Sequence, residues 1–312
     1  MIAALCGGLV AVQSRINGEL GRRLDDGYTA AAISFGSGLL ILLIVLCFWR
    51  PGRVGLARVR RELVAKPAGG LRLWMLCGGV AGALLVAAQG LTAAVLGVAL
   101  FTVAVVAGQT LSGLILDRIG LGPGGPHPLT ASRVIGSTLA LVAVLWAVSA
   151  QIGGDIPIWM LVLPFVAGLG TGWQQAVNGR VRAVAQSAQS ATLINFIVGS
   201  AALLALVLVR NTFVGWPSSL PGEWWLYTGG AIGCVFIAIQ AALVRVTGVL
   251  LLALATVSGQ LVAALAIDFA TPGHNVEVST IAGTSLALVA VVVASGWLGT
   301  LRLPRKRKGS LA

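Results

Sequence analysis

The sequence predicts an all-α integral membrane protein with ten transmembrane helices, arranged as two inverted five-helix repeats. Three observations lead to this prediction: a mean hydropathy of +0.96, long apolar segments joined by short polar ones, and an internal repeat. Only 10% of the 312 residues are charged, whereas soluble domains carry about 25%. Because a helix needs about 20 apolar residues to cross a bilayer, the chain has room for roughly ten crossings and none for a soluble domain.

Ten apolar segments are the predicted spans. They are residues 2–20, 29–49, 71–89, 95–116, 130–149, 158–177, 191–209, 224–244, 248–267 and 280–301. Residues 73–116 are almost uninterrupted, and at 1.5 Å per residue one helix over them would be about 66 Å long, twice the thickness of a bilayer core. We therefore predict a turn near residues 90–97. In the second half, Arg245, Thr247 and Gly248 mark the corresponding turn.

Arginine and lysine are concentrated on one side of the predicted membrane. With the N-terminus inside, 17 of the 21 basic residues fall in inner loops and in the C-terminal tail, seven of them in the loop after the second span. Cytoplasmic loops carry such an excess, so we predict a multi-pass protein of the bacterial inner membrane with both termini cytoplasmic. Topology thereby accounts for the net charge of +12, and nucleic acid is not an expected partner.

The chain contains two copies of one unit, which we place at residues 1–150 and 151–312, the second ending in a basic cytoplasmic tail. An offset of 161 aligns Gln13, Asn17 and Gly38 with Gln174, Asn178 and Gly199, and an offset of 151 aligns Gly79, Gln89, Gln109 and Asp117 with Gly230, Gln240, Gln260 and Asp268. Because each copy has an odd number of spans, the second copy enters the membrane from the opposite side. Inverted repeats are typical of secondary transporters, whose solute site lies near the midplane between the repeats.

Side-chain amides are the polar groups that the repeat duplicates most clearly. Gln13 and Asn17 are four residues apart and share one helical face, as do Gln174 and Asn178. An amide that faces lipid leaves its hydrogen-bonding groups unpaired, so these side chains should point into the bundle, where they either bind a solute or hold helices together. The predicted transport pathway consists of Gln13, Asn17, Gln89, Gln109, Gln174, Asn178, Gln240 and Gln260.

Five charged residues near the ends of spans are candidates for gating or ion coupling: Arg15, Glu19, Asp117, Arg180 and Asp268. Arg15 and Glu19 are four residues apart and able to pair, and Asp117 lies beside Arg118. The competing interpretation is that these groups are interfacial anchors, because ionisable residues at helix ends readily reach the membrane surface. Acidic residues are nearly absent from the predicted midplane, which argues against proton coupling.

Signals for enzymatic chemistry are missing from the sequence. It contains no GxSxG elbow, no phosphate-binding loop ending in Lys and Ser or Thr, and no HExxH motif. We predict no catalytic residues, no cofactor and no metal site, and we interpret Cys6, Cys47, Cys77 and Cys234 as buried thiols. The expected partners are a small-molecule solute and membrane lipids, and a homodimer is left open.

Several segments resemble the YdcZ-like family of the drug/metabolite transporter superfamily. The first copy reads AVQSRINGELG, AAAISFGSG and GQTLSGLILDRIGLGP, and the second reads QQAVNGRVR, ATLINFIVGS and GQLVAALAID. The resemblance implies an EamA-like ten-helix fold with a central cavity and export or exchange of small metabolites. That family includes single five-helix members, so the chain is similar to a fused pair. In the second copy FATPG replaces the DRIGLGP ending, so the resemblance does not imply symmetrical roles for Asp117 and Asp268.

The function predicted from these features is secondary transport by alternating access, moving a small polar metabolite or drug-like solute across the inner membrane by export or exchange. Two alternatives stay open at this point. One is a lipid-carrier flippase, and the other is a non-transporting membrane scaffold or partner subunit.

Overall fold

The computed structural model describes residues 2–65, 67, 69–122, 125–126, 130–149, 156–271 and 276–294, and the regular elements within these ranges are helices. Within helices it describes no side chains for residues 240–255 and a few others. The α-helices are α1 (Ile2–Leu24), α2 (Gly27–Phe48), α3 (Arg50–Ala65), α4 (Gly78–Ala88), α5 (Ala94–Leu96), α6 (Val98–Ile119), α7 (Ala131–Ser149), α8 (Ile158–Ala185), α9 (Ala188–Val214), α10 (Gly229–Ala270) and α11 (Val278–Ala294). Short 3₁₀ turns, Leu73–Cys77 and Trp224–Tyr227, precede α4 and α10, and the π-helical turn Gln89–Ala93 joins α4 to α5.

Four helical segments are long and apolar enough to cross a membrane: Gly27–Phe48, Leu73–Leu96, Val98–Ile119 and Ala188–Val214. Three shorter helices, Ala131–Ala147, Thr256–Ala270 and Val278–Ala294, are also apolar. Each of the seven coincides with a predicted span, so the prediction of an all-α, multi-pass membrane protein is confirmed. Residues 295–301 of the predicted last span and the whole basic tail lie outside the described residues.

The predicted turn in the first half is confirmed at Gly97. This glycine separates α5 from α6 with a φ of 81°, a backbone conformation that side chains with a Cβ rarely adopt. The segment Leu73–Leu96 that precedes it is one of the four candidate spans, and α6 is the next. The nearly unbroken apolar stretch is therefore two helices rather than one.

The corresponding stretch of the second half, α10, is helical from Gly229 to Ala270 but is not straight. Gln13 of α1 donates a hydrogen bond to the carbonyl oxygen of Gly229 at 2.8 Å, and Gly8 of the same helix packs against Ala263. Residues 8 and 13 are about 8 Å apart along α1, whereas residues 229 and 263 would be about 51 Å apart in a straight helix. The chain therefore turns back on itself between residues 229 and 263, and the predicted position of the turn stays a prediction. The side chains predicted to mark that turn lie outside those described.

Helix α3 corrects the prediction of a loop after the second span. Its sequence is RPGRVGLARVRRELVA, and it buries Gly52, Gly55 and Val59 on one side. Ser190 donates a hydrogen bond to the Gly52 carbonyl oxygen at 2.9 Å, and Val59 packs with Val181 and other apolar residues near the end of α8. The sequence analysis treated this segment only as a basic loop and missed its narrow apolar face, through which the helix packs against α8.

Glycine contacts between helices recur in both copies of the repeat. A methyl group on Gly79 would lie 2.1 Å from the Asn195 carbonyl oxygen, and one on Gly230 would lie 2.3 Å from that of Ser34. These two contacts are related by the offsets of 151 and 161 found in the sequence. Both contacts join one half of the chain to the other. Only glycine, which has no Cβ, permits the two backbones to come this close.

An aromatic pair lies between the two halves. The rings of Phe35 and Phe196, which are equivalent in the repeat, have centroids 4.9 Å apart. Each ring packs over the equivalent glycine of the other half, Phe35 over Gly199 and Phe196 over Gly38. Both phenylalanines are buried, so this contact is part of the core that joins the halves.

Candidate functional site

Three side chains form the first amide cluster: Ser14, Asn17 and Gln89. Asn17 Nδ2 donates to Gln89 Oε1 at 2.7 Å, and Gln89 Nε2 donates to Ser14 Oγ at 2.9 Å. The Ser14 hydroxyl in turn donates to the Val10 carbonyl oxygen at 3.0 Å. All three side chains are buried, and Asn17 Oδ1 is a buried acceptor with no hydrogen-bond partner among the described residues. The cluster is a sealed polar chain within apolar helices, which is the interhelical role considered above.

Gln13 connects the two halves of the chain. Its Nε2 donates to the Gly229 carbonyl oxygen at 2.8 Å, and the side chain is half-buried. A methyl group on Gly233, one turn further along α10, would lie 2.9 Å from the same nitrogen. The amide thus occupies the space that these two glycines leave free.

The second amide cluster comprises Gln174, Asn178 and Asn195. Gln174 Nε2 and Asn178 Nδ2 both donate to Asn195 Oδ1, at 2.9 and 3.1 Å. Asn195 is buried, but Gln174 and Asn178 are only half-buried. Each of the two NH2 groups uses one of its two N–H donors on Asn195. Within the described residues the oxygens of Gln174 and Asn178 accept no hydrogen bond, so both amides can still bind another molecule.

Asn195 is a site residue that the sequence analysis did not predict. Its equivalent in the first copy is Ser34, so a search for duplicated amides passes over it. The available signal was an asparagine in the apolar segment ATLINFIVG, where an amide needs an internal partner.

The remaining predicted amides lie elsewhere. Gln109 is half-buried and Gln260 is buried, and neither side chain hydrogen-bonds with the described members of the two clusters. Each follows a glycine at a close helix contact: a methyl group on Gly108 or Gly259 would lie 2.1 or 2.0 Å from a backbone oxygen of the other half. The side chain of Gln240 is outside those described.

The Glu19 carboxylate pairs with two arginines at the end of α1. Its Oε1 accepts from Arg22 Nη2 at 2.7 Å and from Arg23 Nε at 2.8 Å. Arg15, which is also within pairing distance along the sequence, forms none of the ion pairs among the described residues. Arg22 and Arg23 follow Glu19 by three and four residues, so both lie near it on the same helical face.

Two further ion pairs join the halves at this end. Arg23 pairs with Glu223, and Arg210 Nη1 donates to Asp26 Oδ2 at 2.8 Å. The Arg23 guanidinium lowers the pKa of the Glu223 carboxyl. Asp26 also caps α2 by accepting from the backbone N–H groups of residues 28 and 29. These pairs were not predicted, because their members are about 200 residues apart in the chain.

Asp117 and Asp268 occupy equivalent positions in the repeat but have different surroundings. Asp117 is about one-third exposed and pairs with Arg133 at 2.6 Å, rather than with the neighbouring Arg118. Asp268 is buried and accepts from the backbone N–H groups of Val98 and Ala99 at 2.8 and 2.7 Å. Asp268 therefore caps the N-terminus of α6, where the helix has free donors and positive partial charge.

Arg180 holds the other end of α6. Its Nε donates to the Leu121 carbonyl oxygen at 2.6 Å, and its Nη2 donates to that of Gly120 at 3.1 Å. An acid at the N-terminus and a base at the C-terminus complement the helix dipole. Because both charges belong to the second half, α6 of the first half is fixed at each end by the other repeat.

In the part of the chain that the structure describes, no three His, Cys, Asp or Glu side chains are grouped closely enough to hold a metal ion. Cys6 is buried, but Cys47 and Cys77 are exposed, so the prediction of four buried thiols is wrong for these two. They lie at the ends of apolar segments, where hydropathy does not distinguish lipid-facing from buried positions.

Apolar helices of spanning length, built from two related halves with amides at the contact between them, define a multi-pass membrane protein. The family described as "Putative inner membrane exporter, YdcZ" matches residues 1–146 and 159–293, and the chain belongs to that family. Two successive matches confirm both the resemblance and the presence of two repeats. The family is one of transporters of the bacterial inner membrane rather than of enzymes. Among curated proteins, none matches the chain.

Proposed function

We propose that the chain is a secondary transporter that moves a small polar solute across the inner membrane by alternating access, in export or exchange. The second amide cluster carries this proposal. Gln174 and Asn178 are half-exposed neutral hydrogen-bonding groups of α8, and they lie against Gly82 and Gly78 of α4 in the other half. A neutral polar site between two repeats fits solute binding, whereas a purely structural amide would be sealed like the first cluster.

The arrangement of two inverted five-helix repeats, with ten spans and both termini cytoplasmic, is part of the proposal. It is supported by contacts that occur twice, related by the offsets of the repeat. Asn17 lies against Gly229, and equivalently Asn178 lies against Gly78. Gly7 packs against the Thr256 carbonyl oxygen, and equivalently Gly168 packs against the Val105 carbonyl oxygen. Contacts that recur with the halves exchanged are those of a pseudo-twofold axis. Such an axis in the membrane plane lets a central site face each side in turn.

The charged residues fit the role of gates in this scheme. Arg23–Glu223 and Asp26–Arg210 join the halves near the start of α2, and Arg180 joins them at the end of α6. Opening either side requires the contacts on that side to separate while the others persist. None of these charges belongs to an amide cluster, so solute recognition in this proposal relies on hydrogen bonds without ion coupling at the site.

The oxygens of Gln174 and Asn178 indicate the chemistry of the solute. Each nitrogen uses one of its two N–H donors on Asn195, so a bound molecule needs N–H or O–H groups for the two oxygens or acceptor groups for the remaining N–H donors. Metabolites with hydroxyl, amide or amino groups meet this requirement. No formal charge faces the pair within the cluster, which favours a neutral or zwitterionic solute over a fully charged one.

The test is flux in liposomes loaded with a metabolite mixture, comparing the parent protein with Gln174→Leu and with Gln175→Leu. Gln175 is the exposed neighbour of Gln174 and serves as the matched control. Losing a hydrogen bond worth about 1.4 kcal/mol corresponds to roughly a tenfold reduction in apparent affinity. We expect this reduction for Gln174→Leu and parental flux for Gln175→Leu. Equal flux of any transported solute by all three proteins would exclude the cluster as its site, and movement of lipid alone would favour a flippase.

A further inference from the structure

Helix α3 carries five arginines, and the structure divides them into two groups. Arg53 donates to the carbonyl oxygens of residues 46 and 47 at the end of α2, and Arg58 donates to the Ala185 oxygen at the end of α8. Arg50, Arg60 and Arg61 are exposed, and none forms a hydrogen bond or ion pair with the described residues. Two of the arginines thus serve the fold, and three are available to another molecule.

The three available arginines, which we call the arginine surface, lie away from the buried side of α3. Arg61 is nine residues from Gly52, which places it about 180° around the helix from that buried glycine. Arg50 is eleven residues from Arg61 and only about 20° away from it around the helix. The arginine surface therefore points outward while Gly52, Gly55 and Val59 hold the helix against α8 and α9.

The position of α3 places this surface at the level of lipid headgroups. Helix α3 begins two residues after the end of α2, a segment long and apolar enough to cross the membrane. Phe48 and Trp49 at this junction are 85% and 50% exposed, as expected for aromatic residues at a membrane interface. Val54 and Val64 are exposed among the arginines, so the surface is amphipathic rather than simply hydrophilic.

We propose that the arginine surface binds the phosphate groups of anionic phospholipids and fixes α3 on the membrane. The guanidinium fork binds phosphate through two parallel hydrogen bonds, and basic segments beside a transmembrane helix attract anionic lipids. Glu62 is the only acidic residue of α3, so little within the helix neutralises the arginines. A soluble acidic protein would match the charge but not the exposed Phe48, Trp49, Val54 and Val64. This inference is independent of the proposed transport.

The test uses the full chain in a neutral detergent and compares phosphatidylglycerol with phosphatidylcholine of the same acyl chains. Lipid binding is measured by native mass spectrometry and by the shift in unfolding temperature. The variants are the triple substitutions to Gln and to Lys at positions 50, 60 and 61. A matched control replaces the four consecutive basic residues of the tail, Arg305, Lys306, Arg307 and Lys308, by Gln.

We expect phosphatidylglycerol to bind at least tenfold more tightly than phosphatidylcholine. The Gln triple variant should lose that preference without a change in unfolding temperature in detergent alone, because these side chains are exposed and form no hydrogen bond or ion pair with the described residues. The Lys triple variant should retain part of it, and the tail variant all of it. The proposal is overturned if the Gln triple variant keeps the preference, or if polyglutamate binds the parent better than phosphatidylglycerol does.

Discussion

The buried carboxylate of Asp268 provides a direct test of how α6 is held. In the variant Asp268→Ala, the N–H groups of Val98 and Ala99 lose their acceptor while both residues stay buried. Each orphaned buried donor costs about 1–3 kcal/mol, so the free energy of unfolding should fall by about 2–6 kcal/mol. The loss of a negative charge at the helix N-terminus adds about 0.3–1 kcal/mol. Asp268→Asn keeps one acceptor oxygen, so its free energy of unfolding should lie between that of the parent and that of Asp268→Ala.

The repeat supplies the matched control, Asp117→Ala. Asp117 and its partner Arg133 have side chains that are 37% and 34% exposed, and such pairs contribute about 0–1 kcal/mol. Unfolding in mixed micelles, titrated with a denaturing detergent, measures both variants on one scale. Equal losses for Asp117→Ala and Asp268→Ala would refute the assignment of Asp268 as the cap of α6.

Two more predictions concern packing and pH. Gly230→Ala should lower stability by about 1–3 kcal/mol or more, because its methyl group would lie 2.3 Å from the Ser34 oxygen and one of the backbones must move. Gly36→Ala, with no atom within 4 Å of the added methyl group, should be neutral or stabilising, and thermal unfolding of both variants checks the contrast. Because Arg23 lowers the pKa of Glu223, this carboxylate stabilises the folded protein above the ordinary glutamate pKa of about 4.3, and the effect is lost as pH falls through the lowered value. Parent protein should therefore lose more stability than Glu223→Gln between neutral pH and pH 3, and parallel pH profiles would contradict the ion pair.

Much of the site follows from the sequence because the repeat is visible in it. Gln13, Asn17, Gln89, Gln174 and Asn178 all have polar partners within the bundle, as an amide among apolar residues requires. Their partners were less accessible to prediction. Asn195 breaks the repeat, and the backbone oxygen of Gly229 carries no signature in its residue type.

The contacts of the charged residues were predicted less well than those of the amides. Glu19, Asp117 and Arg180 were recognised as candidates, but their partners were not predicted. Glu19 pairs within its own helix, Asp117 pairs with a residue of the next helix, and Arg180 binds carbonyl oxygens about 60 residues away, so spacing in the sequence did not identify the partners. Helix α3 was missed for a related reason, since its apolar face is narrow and becomes useful only when α8 and α9 are beside it.

The sequence alone determined that this chain is a two-copy, multi-pass membrane protein, because hydropathy and offsets are properties of the residues in order. Tertiary structure decided which amides are sealed and which are accessible, and it assigned different roles to two aspartates at equivalent positions. Asp268 lies against the free N–H groups of Val98 and Ala99, whereas Asp117 lies at the exposed end of α6 beside Arg133. The physical reason is that desolvation and hydrogen bonding depend on neighbours in space, and residues about 170 positions apart become neighbours only in the folded bundle.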